Sequence, residues 1–164
     1  MKTRNKPYLR LTPALPAEGR REQLSHWVAE YFAALGEKPD TVLYEPSGKP
    51  VFARGEHFLS VTHTGTLYGA VFAPFPVGLD GEAVGESRPR VAARYFTEEE
   101  RSLPFARVWT AKEAVAKLTG EGLSAVRAVR VCGDRAIFNG KRYALQYEEA
   151  GEWLLCLALP VEAL

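Results

Sequence analysis

With 164 residues, of which 46% are hydrophobic and 25% charged, the chain has the make-up of an ordinary globular protein with enough apolar material for a core, which excludes disordered and fibrous classes. A net charge of +1 shows none of the basic excess that marks general nucleic-acid binding, so an acidic partner must be met by a local patch. No apolar run is long enough to span a bilayer, and the basic N-terminus lacks an apolar targeting core, so a cytoplasmic protein with no membrane association is expected.

In chain order, the first clear element is a helix after Pro16, where Leu24, Trp27, Val28, Tyr31, Phe32 and Leu35 form one apolar stripe at helical spacing before Gly36. A short strand from Thr41 to Glu45 precedes the turn Pro46-Ser47-Gly48-Lys49-Pro50, and another strand starts at Val51. His57 to His63 alternates in the manner of a strand and, after Thr64-Gly65, pairs by pattern with Leu67 to Ala73 as a hairpin. Pro74 and Pro76 end it, and a strand carrying Asp80 and Glu82 follows. From Arg88 the period becomes helical, and Thr97-Glu98-Glu99-Glu100 has the form of a capping box opening a short helix before Pro104. A further helix runs from Ala106 to Thr119. The remainder reads as strands: Ala125 to Cys132, Ala136 to Phe138, Arg142 to Glu148 and Trp153 to Leu159, with Asn139-Gly140 as a hairpin turn. Cys132 and Cys156 match no metal-ligand spacing and are expected as two buried free thiols. The order of elements gives an α+β fold of two halves, divided near residue 76.

Two stretches carry chemistry. Asp80 and Glu82, at i and i+2, project from the same side of a strand. Glu113 and Lys117 lie one helical turn apart, on a side shared with Trp109, Lys112 and Ala116, opposite a core stripe of Val108, Ala111, Val115 and Leu118. Taken alone, Glu113 and Lys117 suit a solvated ion pair worth about 0.3–0.5 kcal/mol, and Asp-x-Glu suits a charged turn. Brought together, three carboxylates and an ammonium suit a hard divalent cation carrying a phosphate.

Gly78-Leu79-Asp80-Gly81-Glu82, Phe96-Thr97-Glu98-Glu99-Glu100 and Trp109 through Lys117 stand in the order and at the spacing of a family signature, and Gly48-Lys49-Pro50 and Thr62-His63-Thr64-Gly65 add two upstream pieces. The chain thus resembles the 4′-phosphopantetheinyl transferases of the surfactin-synthetase-activating type. The resemblance implies a fold of two pseudo-symmetric halves, each a small antiparallel sheet packed with helices, forming one transferase domain from residues 1–76 and 77–164. It implies transfer of the phosphopantetheine arm of coenzyme A to a serine of an apo acyl or peptidyl carrier protein, releasing adenosine 3′,5′-bisphosphate.

By the same resemblance, Asp80, Glu82 and Glu113 would hold Mg²⁺. Lys117 would grip the diphosphate, with Lys112 approaching it or the carrier protein. Lys49, Thr62 and His63 would contact the nucleotide end. Glu113 would be the general base, with Glu100 second. Trp109 reads as a packing residue holding its helix to the sheet, and Glu100 also as an N-terminal cap. An acidic carrier helix would suit Arg88, Arg90, Arg94 and Lys112.

The chain departs from the type in its N-terminal half, where little more than a helix and a strand precede Lys49; Arg4, Arg10, Arg20 and Arg21 are the basic residues placed to substitute. Either a compact pseudo-dimer or a homo-oligomer would complete such a chain. Gly81 replaces the family's apolar residue between the two carboxylates. A non-catalytic relative that binds coenzyme or carrier protein would be expected to have lost a metal ligand or Lys117. A metal-dependent phosphohydrolase would have no use for the Trp109–Lys117 helix.

Overall fold

The computed structural model describes residues 5–164, so Arg4 lies outside the described residues. The fold is α+β with antiparallel sheets, and the chain forms two compact units, Met1–Pro76 and Val77–Leu164.

In the first unit, β1 (Tyr8–Pro13), β5 (Leu67–Ala73) and β4 (Phe58–His63) form an antiparallel sheet in the order β1-β5-β4, beside a two-stranded ribbon of β2 (Val42–Tyr44) and β3 (Pro50–Phe52). Helix α1 (Ala17–Leu35) buries the expected stripe of Leu24, Trp27, Val28, Tyr31 and Phe32. That stripe meets Leu59, Tyr68, Ala70 and Phe72 of the sheet, giving a core rich in aromatic rings. Trp27 stacks on Tyr68 and Tyr31 on Phe72, with centroids 5.3 and 5.4 Å apart. Strand β1 has no counterpart in the sequence reading. It is an edge strand, half exposed, and its pairing with β5 from Tyr8↔Phe72 to Pro13↔Leu67 supplies what its weak alternation does not.

The second unit is a five-stranded sheet in the order β6-β10-β9-β8-β7, comprising β6 (Gly78–Ala83), β7 (Arg130–Cys132), β8 (Arg135–Phe138), β9 (Lys141–Ala150) and β10 (Trp153–Pro160). Between β6 and β7 run α2 (Pro89–Tyr95), α3 (Glu98–Arg101), α4 (Phe105–Thr119) and α5 (Leu123–Ala128). The β8–β9 hairpin turns at Asn139 and Gly140, both at positive φ (49° and 74°), the geometry an Asn-Gly turn favours.

Three expectations change here. The segment from Ala125 to Cys132 is a helix followed by a three-residue strand, because Ala125, Val126 and Val129 pack on the core at helical, not alternating, spacing. Of the two thiols, both free, only Cys156 is buried; Cys132, at the end of β7, is exposed. Helix α4 has no broad polar side: Val108, Thr110, Ala111, Lys112, Ala114 and Val115 are all fully buried, leaving Glu113 and Lys117 among its few accessible positions. A helix buried nearly all round belongs at the centre of its unit, and α4 packs on both β6 and β10.

Candidate functional site

The site starts from a contact between backbones. An atom added at the Cβ position of Gly78 would lie 1.8 Å from the carbonyl oxygen of Ala114, so only glycine lets β6 cross α4 this closely. Alternation along β6 then turns Asp80 and Glu82 to the same side as Gly78, the side on which α4 lies. On the helix, Glu113 is the residue before the one touched and Lys117 is one turn beyond Glu113.

The Lys117 ammonium lies 2.9 Å from Asp80 Oδ1 and donates to the carbonyl of Leu79 at 2.9 Å. Burial, and after it the neighbouring Asp80, hold the Glu113 carboxyl above the usual carboxylate range; Lys117 and Arg88 oppose this, and Glu82 adds to it. Asp80 is likewise raised, by burial first, with Lys117 opposing and Glu82 adding. Asp80, Glu82, Glu113 and Lys117 therefore share one electrostatic neighbourhood at the edge strand of the sheet. Behind Asp80, the register places Cys156 and then Tyr147 on the same face, and the Tyr147 hydroxyl donates to the Arg107 carbonyl at 3.2 Å.

Arg88, assigned from sequence to the carrier surface, belongs to this neighbourhood. Its guanidinium pairs with Glu82 through one terminal nitrogen and with Glu86 through Nε at 3.2 Å. The signal was present in the sequence, an arginine six residues beyond Glu82 and just before Pro89, but an arginine at a helix start reads equally well as surface charge. Arg90 and Arg94 remain exposed.

Among the described residues no three carboxylate, imidazole or thiol groups stand close enough to enclose a metal ion. Asp80 is drawn to Lys117 and Glu82 to Arg88. The donor chemistry nevertheless fits a hard cation: three carboxylates supply only oxygen.

Lys112 takes a different job from the one expected, while Glu100 takes the capping role expected of it. The Lys112 side chain has no solvent exposure, its ammonium lies 3.0 Å from Glu100 Oε1, and it also donates to the Val129 carbonyl. The Glu100 carboxylate accepts from the backbone N–H groups of Thr97 and Val131, each at 2.8 Å, and completes the capping box of α3. These contacts engage Lys112 and Glu100 with each other and with backbone at the cap of α3 and at Val131. Trp109 packs, as expected, its ring against Phe105 at the start of its own helix and against Tyr95 and Phe96 at the end of α2.

In the first unit a pocket of about 240 Å³ is lined by Arg20, Arg21, Tyr44, Gly48, His63 and Tyr68, among others. The Arg21 guanidinium lies 4.4 Å from the centre of the Tyr44 ring. Lys49 sits between two lining residues, Gly48 and Pro50. Thr62, by contrast, is buried on the face of β4 opposite His63, so the two cannot reach into the pocket together. Arg10 lies on β1, 3.4 Å from Glu30.

A profile of the 4′-phosphopantetheinyl transferase superfamily matches residues 76–158. No individual curated protein matches the chain. The matched segment spans both signature motifs, the strand that carries Asp80 and Glu82 and the helix that carries Glu113 and Lys117. By this match and by the α+β fold that brings its signature residues together, the chain is a member of the 4′-phosphopantetheinyl transferase superfamily.

Proposed function

We propose that this protein transfers the 4′-phosphopantetheine arm of coenzyme A to a serine of an apo acyl or peptidyl carrier protein in a Mg²⁺-dependent reaction, its two units acting as one transferase. The observation that carries this reading is the convergence of Asp80, Glu82, Glu113 and Lys117 where β6 touches α4, in a chain whose superfamily performs phosphopantetheinyl transfer.

Asp80, Glu82 and Glu113 would hold the cation, which when bound neutralises negative charge on the diphosphate and on the departing group. Lys117, within hydrogen-bond reach of Asp80, would grip the diphosphate. Glu113, held by burial above the usual carboxylate range, takes the proton of the carrier's serine. The freed serine oxygen attacks the phosphorus bonded to the pantetheine oxygen. The bond from that phosphorus to the bridging oxygen breaks, and adenosine 3′,5′-bisphosphate leaves with the bond's electron pair. The phosphates at the nucleotide end fall to Lys49 and His63 together with Arg20 and Arg21, whose pocket offers positive charge beside an aromatic ring.

The test is incubation with coenzyme A, Mg²⁺ and an apo carrier protein, read by intact mass. A carrier heavier by one phosphopantetheine arm, lost on chelation of the metal and in Glu113→Gln with the fold retained, is the expected result. Coenzyme bound but never transferred to any of several carriers would point to a non-catalytic relative, and coenzyme cleaved without an adduct to a phosphohydrolase. Full activity in Glu113→Gln would overturn the assignment of the base.

A further inference from the structure

We propose that Arg88 is a counter-ion latch that competes with the divalent cation for Glu82, with Glu86 as the second acceptor that keeps the guanidinium in place when Glu82 turns to the ion. The inference rests on the reading of Asp80, Glu82 and Glu113 as the cation's ligands.

Arg88 is held by three kinds of contact. One terminal nitrogen pairs with Glu82, Nε pairs with Glu86 at 3.2 Å, and the guanidinium carbon stands 5.3 Å from the centre of the Phe105 ring and 6.0 Å from that of Trp109. Releasing Glu82 leaves the carboxylate of Glu86 and the two ring faces, so the arginine stays where it is. Glu82 is placed differently: among the described residues Arg88 is its sole ion-pair partner, and its other charged neighbours include the carboxyls of Asp80 and Glu113, which repel it. Its orientation is therefore set by whichever cation it meets.

The charges agree with an exchange. Among the described residues, Asp80, Glu82, Glu86 and Glu113 interact with two cations, Lys117 and Arg88. The surplus of negative charge is what one divalent ion would cancel, so the ion can be added without expelling either cation from the site. What it must displace is one contact, that between Arg88 and Glu82. Arg88 thus lowers the affinity of the free protein for the ion, and Glu86 limits how much.

Mn²⁺ serves as the probe, its binding to the full-length protein followed by titration calorimetry and by loss of the free-ion electron paramagnetic resonance signal, with no coenzyme present. Arg88→Gln is expected to bind Mn²⁺ about fivefold more tightly than wild type, and Glu86→Gln, which leaves Arg88 to Glu82 alone, about fivefold more weakly. Combining the two should reproduce the tight binding of Arg88→Gln, because Glu86 acts only through the arginine. Arg88 is partly exposed at a helix start, so its loss leaves the core intact, and Glu86→Gln tests the same exchange with the opposite sign. If wild type binds Mn²⁺ and Asp80→Asn does not, the ligand assignment stands; unchanged or weaker binding by Arg88→Gln then overturns the latch alone. Absence of Mn²⁺ binding by wild type would overturn the ligand assignment and the latch together.

Discussion

Lys112 carries an ammonium group into a core where no water reaches it, and Glu100 is its counter-ion. Burial works to raise Glu100, but the N–H groups of Thr97 and Val131 and the Lys112 ammonium more than offset it, leaving the carboxyl below the usual glutamate range. A depressed carboxyl contributes stability that is fully present above the unfolded-state value of about 4.3 and is lost as pH falls through the folded-state value. Chemical denaturation of wild type should therefore show stability falling below about pH 4, and Glu100→Gln should flatten that decline. At neutral pH Glu100→Gln should cost about 3–5 kcal/mol, since it leaves Lys112 buried without its anion. None of this is visible in a helical projection. Lys112 and Glu113 are adjacent in sequence and near each other on the wheel, yet one points at the cap of α3 and the other at the carboxylate site. Only the positions of α3 and α5, which the sequence pattern does not contain, separate them.

At the scale of elements, the crossing of β6 over α4 is the contact the site depends on. Gly78→Ala forces a methyl group into the Ala114 carbonyl, and because the obstacle is backbone, no rotamer relieves it. We expect a loss of more than about 3 kcal/mol in denaturant unfolding, against about 1 kcal/mol for Gly140→Ala, which strains only a hairpin turn at positive φ. The elements legible in the sequence were those with their own local signals: the stripe and Gly36 stop of α1, the capping box of Thr97 and Glu100, and the Asn139-Gly140 turn. Those misread take their form from partners. Strand β1 exists through its register with β5, and the short apolar run from Ala125 suits either helix or strand until its packing is known.

For the whole molecule, the family match covers little beyond the second unit, and the proposed duties divide accordingly. Arg21→Ala and His63→Ala, both in the first unit, should raise the KM for coenzyme A several-fold while kcat falls little and Mn²⁺ affinity stays at the wild-type value. The steady-state constants and the Mn²⁺ titration together check this, and a loss confined to kcat would assign the pocket a different role. The carboxylate site was legible because its residues fall within two short motifs whose spacing encodes a strand and a helix. The pocket was legible only in outline. Arg20 and Arg21 come from α1, Tyr44 from β2 and His63 from β4, and their meeting depends on tertiary packing that no local spacing records.

Gly78 also bears on how relatives of this chain are to be ranked. A diverged sequence that kept Asp80, Glu82, Glu113 and Lys117 but replaced Gly78 would retain every charged member of the signature, and any survey scored on those residues would count it as active. Its strand and helix could no longer touch, and the charges would be preserved as letters without being preserved as a place.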